Sequence, residues 1–160
     1  MDKGTTIAQI YEATRLLKKY NIHPSFFIQF GYLGETREDI DKTIRMINEL
    51  LPYELGISVS YPLPGTKFFE KVKDQLQEKS NWTDSDELKL MFTNTYPPAF
   101  YKQLHRYVHK TYRKHLALET IKTLFNNPVD LSYRNIKKAT SAAYFIPAAF
   151  FAKRKLEALA

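Results

Sequence analysis

The sequence predicts an α/β fold with a parallel sheet, followed by an α-helical extension. Two short apolar runs rich in β-favouring residues alternate with amphipathic stretches in the first half, a pattern typical of βαβ units. The second half changes to long helical spacing with many basic residues. We therefore divide the chain into residues 1–80, with the strands, and residues 81–160, the basic helical extension.

The predicted elements of the first half begin with a helix over about residues 6 to 20. Thr6-Ile7-Ala8-Gln9 fits a capping box at its start, and Asn21 marks its end. Ser25–Phe30 is an apolar run with little alternation, which predicts a strand buried on both faces and ending at Gly31. Thr36-Arg37-Glu38-Asp39 opens a second helix, which Pro52 closes.

A second strand is predicted over 56–61, and it leads through a proline-rich turn into a third helix. The apolar positions of that helix are Phe68, Phe69, Val72 and Leu76. An isolated parallel pair of strands leaves its edges and much apolar surface uncovered. We therefore expect this half to be a piece of a larger sheet.

The second half predicts a long basic amphipathic helix from Pro98 to about Phe125, with at most one break. A further helix is expected over about 131–145. The mostly apolar segment 139–152 contains Pro147 and is too short to span a bilayer. It either docks on the rest of the protein or lies in a membrane interface, anchored by the Lys153-Arg154-Lys155 run.

Charge and cysteine content narrow the functional classes. Residues 1–80 carry 11 basic and 11 acidic side chains, so the net charge of +7 lies entirely in the second half. This asymmetry indicates that the second half binds an anionic partner. The alternative is that its basic surface is simply solvated. The absence of cysteine excludes disulfides, a thiolate nucleophile and a cluster or zinc site with thiolate ligands from this chain.

Candidate site residues follow the two predicted strands, because ligands collect at the carboxyl ends of parallel strands. After the first strand lie Gly31, Gly34 and Glu35, and at the end of the second lie Ser60 and Tyr61. Spacing alone leaves a structural interpretation open, with the glycines as turn residues and Glu35 facing a helix dipole.

Three stretches together resemble radical S-adenosylmethionine enzymes. The string Phe27-Ile28-Gln29-Phe30-Gly31-Tyr32-Leu33-Gly34-Glu35-Thr36 is similar to the signature of the family's fifth strand, with Leu33 where proline is usual. Residues 56–69 resemble the sixth strand and turn of the cobalamin-binding branch, and residues 1–6 the stretch after the fourth strand. A weaker similarity to the C-terminal extension of that branch covers 82–109, including Thr95–Tyr101.

The resemblance implies the C-terminal strands and helices of a TIM-type (β/α) barrel. It implies that Gly31, Gly34, Glu35, Ser60 and Tyr61 contact the adenosine part of S-adenosylmethionine. Family members hold a [4Fe-4S] cluster through a CxxxCxxC motif, which this sequence lacks. We therefore expect no cofactor on this chain alone. On a complete protein we expect S-adenosylmethionine, the [4Fe-4S] cluster and cobalamin. Such a protein would be a radical methyltransferase or a related enzyme.

The resemblance also places Met1 inside the barrel, so we expect a truncated or split frame whose partner is the missing N-terminal half. The N-terminus lacks a secretory signal pattern, so the cytoplasm is the expected location, with membrane association as an option. The rival hypothesis is a small binding module whose basic helices bind an anionic partner or membrane. Nucleic acid is a less favoured partner, because aromatics at helical spacing favour core packing.

Two other groups carry weaker signals for metal. His105 and His109 have the i, i+4 spacing of zinc ligands, but no third ligand is evident. Asp84, Asp86 and Glu87 cluster in sequence, which favours a helix start over a metal site.

Overall fold

The computed structural model describes residues 4–76, 92–126 and 131–160. The helices are α1 (Ile7–Lys19), α2 (Arg37–Leu50), α3 (Lys67–Val72), α4 (Pro98–Asn126), α5 (Tyr133–Thr140) and α6 (Ala142–Glu157). The strands are β1 (Ser25–Phe30) and β2 (Glu54–Val59). The predicted boundary near residue 80 and the acidic cluster Asp84, Asp86 and Glu87 lie outside the described residues.

β1 and β2 are parallel neighbours, as the alternation of strands and helices predicted. Ser25 pairs with Glu54 and Phe30 with Val59, and α2 connects the two strands. The paired strands form a two-stranded sheet within the described residues. That this sheet is part of a TIM-type (β/α) barrel remains a prediction.

The expectation that β1 is buried on both faces is wrong. Its side chains alternate, and Phe27 is 71% exposed whereas Phe30 is buried. Phe27 lies opposite Gly56 of β2, and a Cβ atom built on Gly56 would approach the Phe27 ring to 2.9 Å. The glycine therefore leaves room for an aromatic ring on the open face of the sheet.

Helix starts follow the predicted local signals. Thr6 and Thr36 both form complete capping boxes, with Gln9 and Asp39 as their N3 partners. Thr66 caps α3 by accepting a hydrogen bond from the Phe69 N–H. Each of these hydroxyl groups satisfies an amide that the first helical turn leaves without an intrahelical partner.

Several predicted boundaries differ from the structure. β2 begins two residues earlier than predicted and ends at Val59, so Ser60 and Tyr61 follow the strand instead of belonging to it. α3 is a short helix continued by a 3-10 turn over Lys73–Gln75. α4 is unbroken, and a helix boundary at Ser141 replaces the single helix predicted over 131–145.

One core cluster joins the sheet, α2, α4 and the end of α6. It includes Phe30, Ile40 and Ile47 from the first half and Phe100 and Leu104 from α4. The Tyr112 hydroxyl donates to the buried Pro52 carbonyl at 2.6 Å, which fixes α4 at the amino end of β2. α4 therefore packs on α2 and β2 of the first half.

Among the helices of the described residues, none combines the length and the apolar character needed to cross a bilayer.

Candidate functional site

A glycine-containing loop continues β1 at the carboxyl end of the sheet. Gly31 and Gly34 have φ angles of 77° and 82°. Residues with a Cβ atom rarely adopt this left-handed backbone conformation. The Glu35 N–H donates to the Tyr32 carbonyl at 2.9 Å, which closes the turn. The sequence-predicted residues Gly31, Gly34 and Glu35 therefore share one tight loop.

The Glu35 side chain folds back onto the start of this loop. Its Oε2 accepts a hydrogen bond of 2.7 Å from the Gly31 N–H. Burial raises the pKa of this carboxyl, the Gly31 N–H opposes that effect, and the charge of Asp39 adds to it. Glu35 thus holds the loop closed while its ionised form is less favoured than in water.

The end of β2 meets the loop beside Phe30. The Ser60 N–H donates to the Phe30 carbonyl at 2.7 Å, so pairing continues one residue past the strand. Ser60 is 3% exposed, and its hydroxyl makes no hydrogen bond within the described part of the chain. Tyr61, the next residue, is half-buried. The structure therefore brings Ser60 close to Gly31, as the parallel arrangement of strands predicted.

Asn94 and Tyr101 belong to the same region although the sequence reasoning did not select them. The Asn94 side-chain amide donates to the Gly31 carbonyl at 2.6 Å. Tyr101, in the first turn of α4, is 1% exposed. The Gly31–Asn94 contact joins residues 63 positions apart, so no local pattern indicates it. The resemblance of Thr95–Tyr101 to a family extension is the one signal near both residues.

The Tyr101 hydroxyl is buried within the electrostatic range of the Glu35 carboxylate. Burial raises the pKa of Tyr101 strongly, and the negative charge of Glu35 raises it further. The hydroxyl lies near the Tyr96 backbone, yet it makes no hydrogen bond of normal geometry within the described residues. The site therefore holds two buried hydroxyl groups, of Ser60 and Tyr101, without such a bond.

Aromatic side chains form the outer wall of the loop. Tyr32 packs on Phe68 with ring centroids 4.8 Å apart, and Phe68 meets Phe92 edge-on at 5.2 Å. Tyr96 stacks on Phe100 at 4.1 Å. Through Tyr32, the first two contacts fasten α3 and Phe92 to the loop, while the third contact joins the segment before α4 to α4 itself.

His105 and His109, two of the three histidines of α4, lie close together. Their ring centroids are 4.5 Å apart. Burial lowers the pKa of His109, and the charges of His105 and Arg113 lower it further. Within residues 4–76, 92–126 and 131–160, no three His, Cys, Asp or Glu side chains are grouped as a metal site requires. The pair therefore lacks a third ligand among these residues.

The chain is similar to two enzymes over about half of its length. It is 30% identical over 81 residues, 50% of the chain, to a protein of Pyrococcus horikoshii named as an uncharacterized methyltransferase. It is 33% identical over 76 residues to the anaerobic magnesium-protoporphyrin IX monomethyl ester cyclase of Cereibacter sphaeroides. These matches cover only 18% and 12% of the two relatives. No protein-family model matches the chain.

Proposed function

We propose that the first 75 residues or so form one wall of the S-adenosylmethionine site of a radical S-adenosylmethionine enzyme. The loop from Gly31 to Glu35 and the strand end at Ser60 and Tyr61 then contact the adenosine part. The observation that carries the proposal is the loop closed by Glu35 at the carboxyl end of β1, directly beside Ser60. The resemblance of the strand motifs and the similarity to a methyltransferase and a cyclase support it.

The chemistry of these residues fits an adenosine group. The Ser60 hydroxyl makes no hydrogen bond within the described residues, so its donor and its acceptor capacity are unused there, and a ribose hydroxyl or a ring nitrogen would satisfy them if the side chain turned toward the ligand. Gly34 has no neighbouring heavy atom within 4 Å of the position that a Cβ would take, so a ligand can approach the backbone there. Bound there, S-adenosylmethionine would supply a sulfonium for reductive cleavage, with the electron coming from a cluster that residues outside this sequence hold.

The residues of this chain do not fit the iron–sulfur cluster. The sequence contains no cysteine, and such clusters are held by cysteine thiolates. We therefore propose that the cluster and cobalamin are bound by residues outside this sequence, the front part of the barrel. On this proposal the chain contributes binding and orientation to a radical methyltransferase or a related C–C or C–H transforming enzyme.

Within that function Glu35 acts as a positioning residue. Its carboxylate accepts the Gly31 N–H and so sets the course of the loop that faces the adenosine. The Asn94 side-chain amide donates to the carbonyl of the same residue, Gly31, and so holds the next peptide unit of the loop. Loss of either contact frees the loop, which lowers the affinity for the ligand by raising the entropy cost of ordering it.

One wall of a site holds its ligand more weakly than the complete site does, so the test titrates the isotope-labelled chain with a large excess of S-adenosylhomocysteine and follows the amide chemical shifts for weak binding. We expect shift changes at Gly31, Gly34 and Ser60, and an affinity about tenfold lower in Glu35→Ala, equivalent to one lost hydrogen bond. Glu38→Ala is the matched control, because Glu38 is an exposed carboxylate three residues away that pairs with Lys42. Shift changes confined to other regions would contradict the proposal.

A further inference from the structure

α6 is packed with its small side chains inward. The buried residues of this helix are Ala142, Ala149, Ala152 and Leu156. Its larger apolar side chains point to solvent, with exposed fractions of 62% for Tyr144, 47% for Ile146, 56% for Phe150 and 60% for Phe151. We call these four side chains, three aromatic rings and Ile146, the aromatic face. Phe150 and Phe151 contact each other, with ring centroids 5.6 Å apart, and groups of exposed apolar side chains mark interaction surfaces.

Close contact with α4 explains the orientation of α6. The Gln103 side chain of α4 donates to the Ala152 carbonyl at 2.9 Å, a bond buried between the helices. Such contact of a side chain with the neighbouring backbone requires small residues along the line of approach. Turning the aromatic face inward would break this contact, so the exposed rings are a consequence of the packing.

Exposed basic side chains lie before and after the aromatic face along the chain. Residues 131–160 contain six basic side chains and one acidic side chain. The basic margin, as we call it, consists of Arg134, Lys137 and Lys138 on α5 and Lys153, Arg154 and Lys155 at the end of α6. The single acidic residue, Glu157, pairs with Lys153 at 3.7 Å, and the Arg154 guanidinium lies 5.9 Å from the Phe150 ring centroid.

We propose that the aromatic face and the basic margin bind the surface of an anionic lipid bilayer. Aromatic rings flanked by lysine and arginine match the interface, where rings enter the boundary of the acyl chains and cations meet lipid phosphates. The charge argues against a second copy on this face, because two basic margins would then oppose each other. The proposal is independent of the adenosine site at the carboxyl end of the sheet.

Co-sedimentation of the full chain with vesicles tests this proposal. We expect the chain to pellet with phosphatidylcholine vesicles that contain about 30% phosphatidylserine, and much less with phosphatidylcholine alone. Raising the salt from about 0.1 M to about 0.5 M should release a large part of it, because salt screens the basic margin.

Two variants with matched controls separate the two parts of the surface. Arg154→Glu/Lys155→Glu should weaken binding at least about 25-fold, since each basic side chain near an anionic surface contributes about fivefold. Lys67→Glu/Lys71→Glu on α3 changes the net charge equally but lies outside the surface, so we expect a clearly smaller effect. Phe150→Ser/Phe151→Ser should abolish pelleting. The control Phe125→Ser, at a residue of α4 that is 84% exposed, should leave pelleting unchanged.

Three results would overturn the proposal. One is a failure of the chain to pellet with the anionic vesicles, and another is an equal loss of pelleting in the charge variant and its α3 control. The third is a dimer in sedimentation velocity that dissociates in Phe150→Ser/Phe151→Ser and shows no vesicle binding, which would assign the face to a second copy. Circular dichroism of each variant verifies that the helices are retained.

Discussion

α2 and α6 use apolar residues in opposite ways. α2 buries its large aliphatic side chains, with Ile40 and Ile47 fully buried, and turns its charged residues to solvent. α6 buries three alanines and Leu156 and exposes its aromatic rings. The comparison shows that the partner decides which face of a helix is buried, and that the hydrophobicity of the residues alone does not.

The two helices also differ at their starts. α2 begins with a complete capping box, in which Thr36 and Asp39 exchange hydrogen bonds. α6 begins at Ser141 without a side-chain cap, directly after α5. α2 is therefore specified by local sequence signals as well as by packing, whereas α6 depends on its contact with α4.

The largest expected difference between α2 and α6 is in the free energy of unfolding that is lost when one large apolar side chain is truncated in each helix. Ile47→Ala should destabilise the fold by about 2–5 kcal/mol, because it leaves a cavity in the core cluster. Phe150→Ala should change the free energy of unfolding by less than about 0.5 kcal/mol, since the ring is exposed. Urea denaturation of both variants measures the two values. Equal losses would show that Phe150 is buried in solution.

Enlarging a small side chain tests the reverse side of α6. Ala152→Leu should cost about 1–3 kcal/mol, because the 3% exposed Ala152 faces the buried contact with α4. Ala143→Leu places the same change on the exposed side of α6 and should be nearly neutral. Thermal melting followed by circular dichroism compares the pair. A neutral Ala152→Leu would mean that α6 is not closely packed on α4.

The smallest effect concerns the helix starts. Thr36→Ala should cost about 1 kcal/mol, whereas Ser141→Ala should cost clearly less, since Ser141 does not cap α6. The Thr36 hydroxyl, and then its backbone N–H, lower the pKa of Asp39. The ionised Asp39 carboxylate therefore contributes its full stabilisation of the fold at pH values above the usual pKa range of aspartate. This contribution is lost as the pH falls through the lowered pKa of Asp39.

The loss of unfolding free energy in Thr36→Ala should accordingly become smaller at acidic pH. The small loss in Ser141→Ala should not depend on pH in this way. Urea denaturation over a pH series measures both. A cost of Thr36→Ala that is constant with pH would show that the Asp39 carboxylate takes no part in the cap.

Short-range chemistry explains what the sequence predicted well. Capping boxes, glycine turns and apolar runs indicated α1, β1, α2 and the parallel order of the strands, because each signal acts within a few residues. The same local signals selected Gly31, Gly34, Glu35, Ser60 and Tyr61 as neighbours at the strand ends. Their assignment to an adenosine site stays a prediction.

Contacts between distant segments were decided by the tertiary structure. The bond from Asn94 to the Gly31 carbonyl, the burial of Tyr101 near Glu35 and the exposure of Phe27 depend on how α4 and the sheet meet. No residue pattern within one element contains that information. The sequence by itself thus determined α1, α2 and the two parallel strands, through hydrogen bonds and spacing along the chain, whereas packing against α4 decided that α6 buries alanines and exposes its rings.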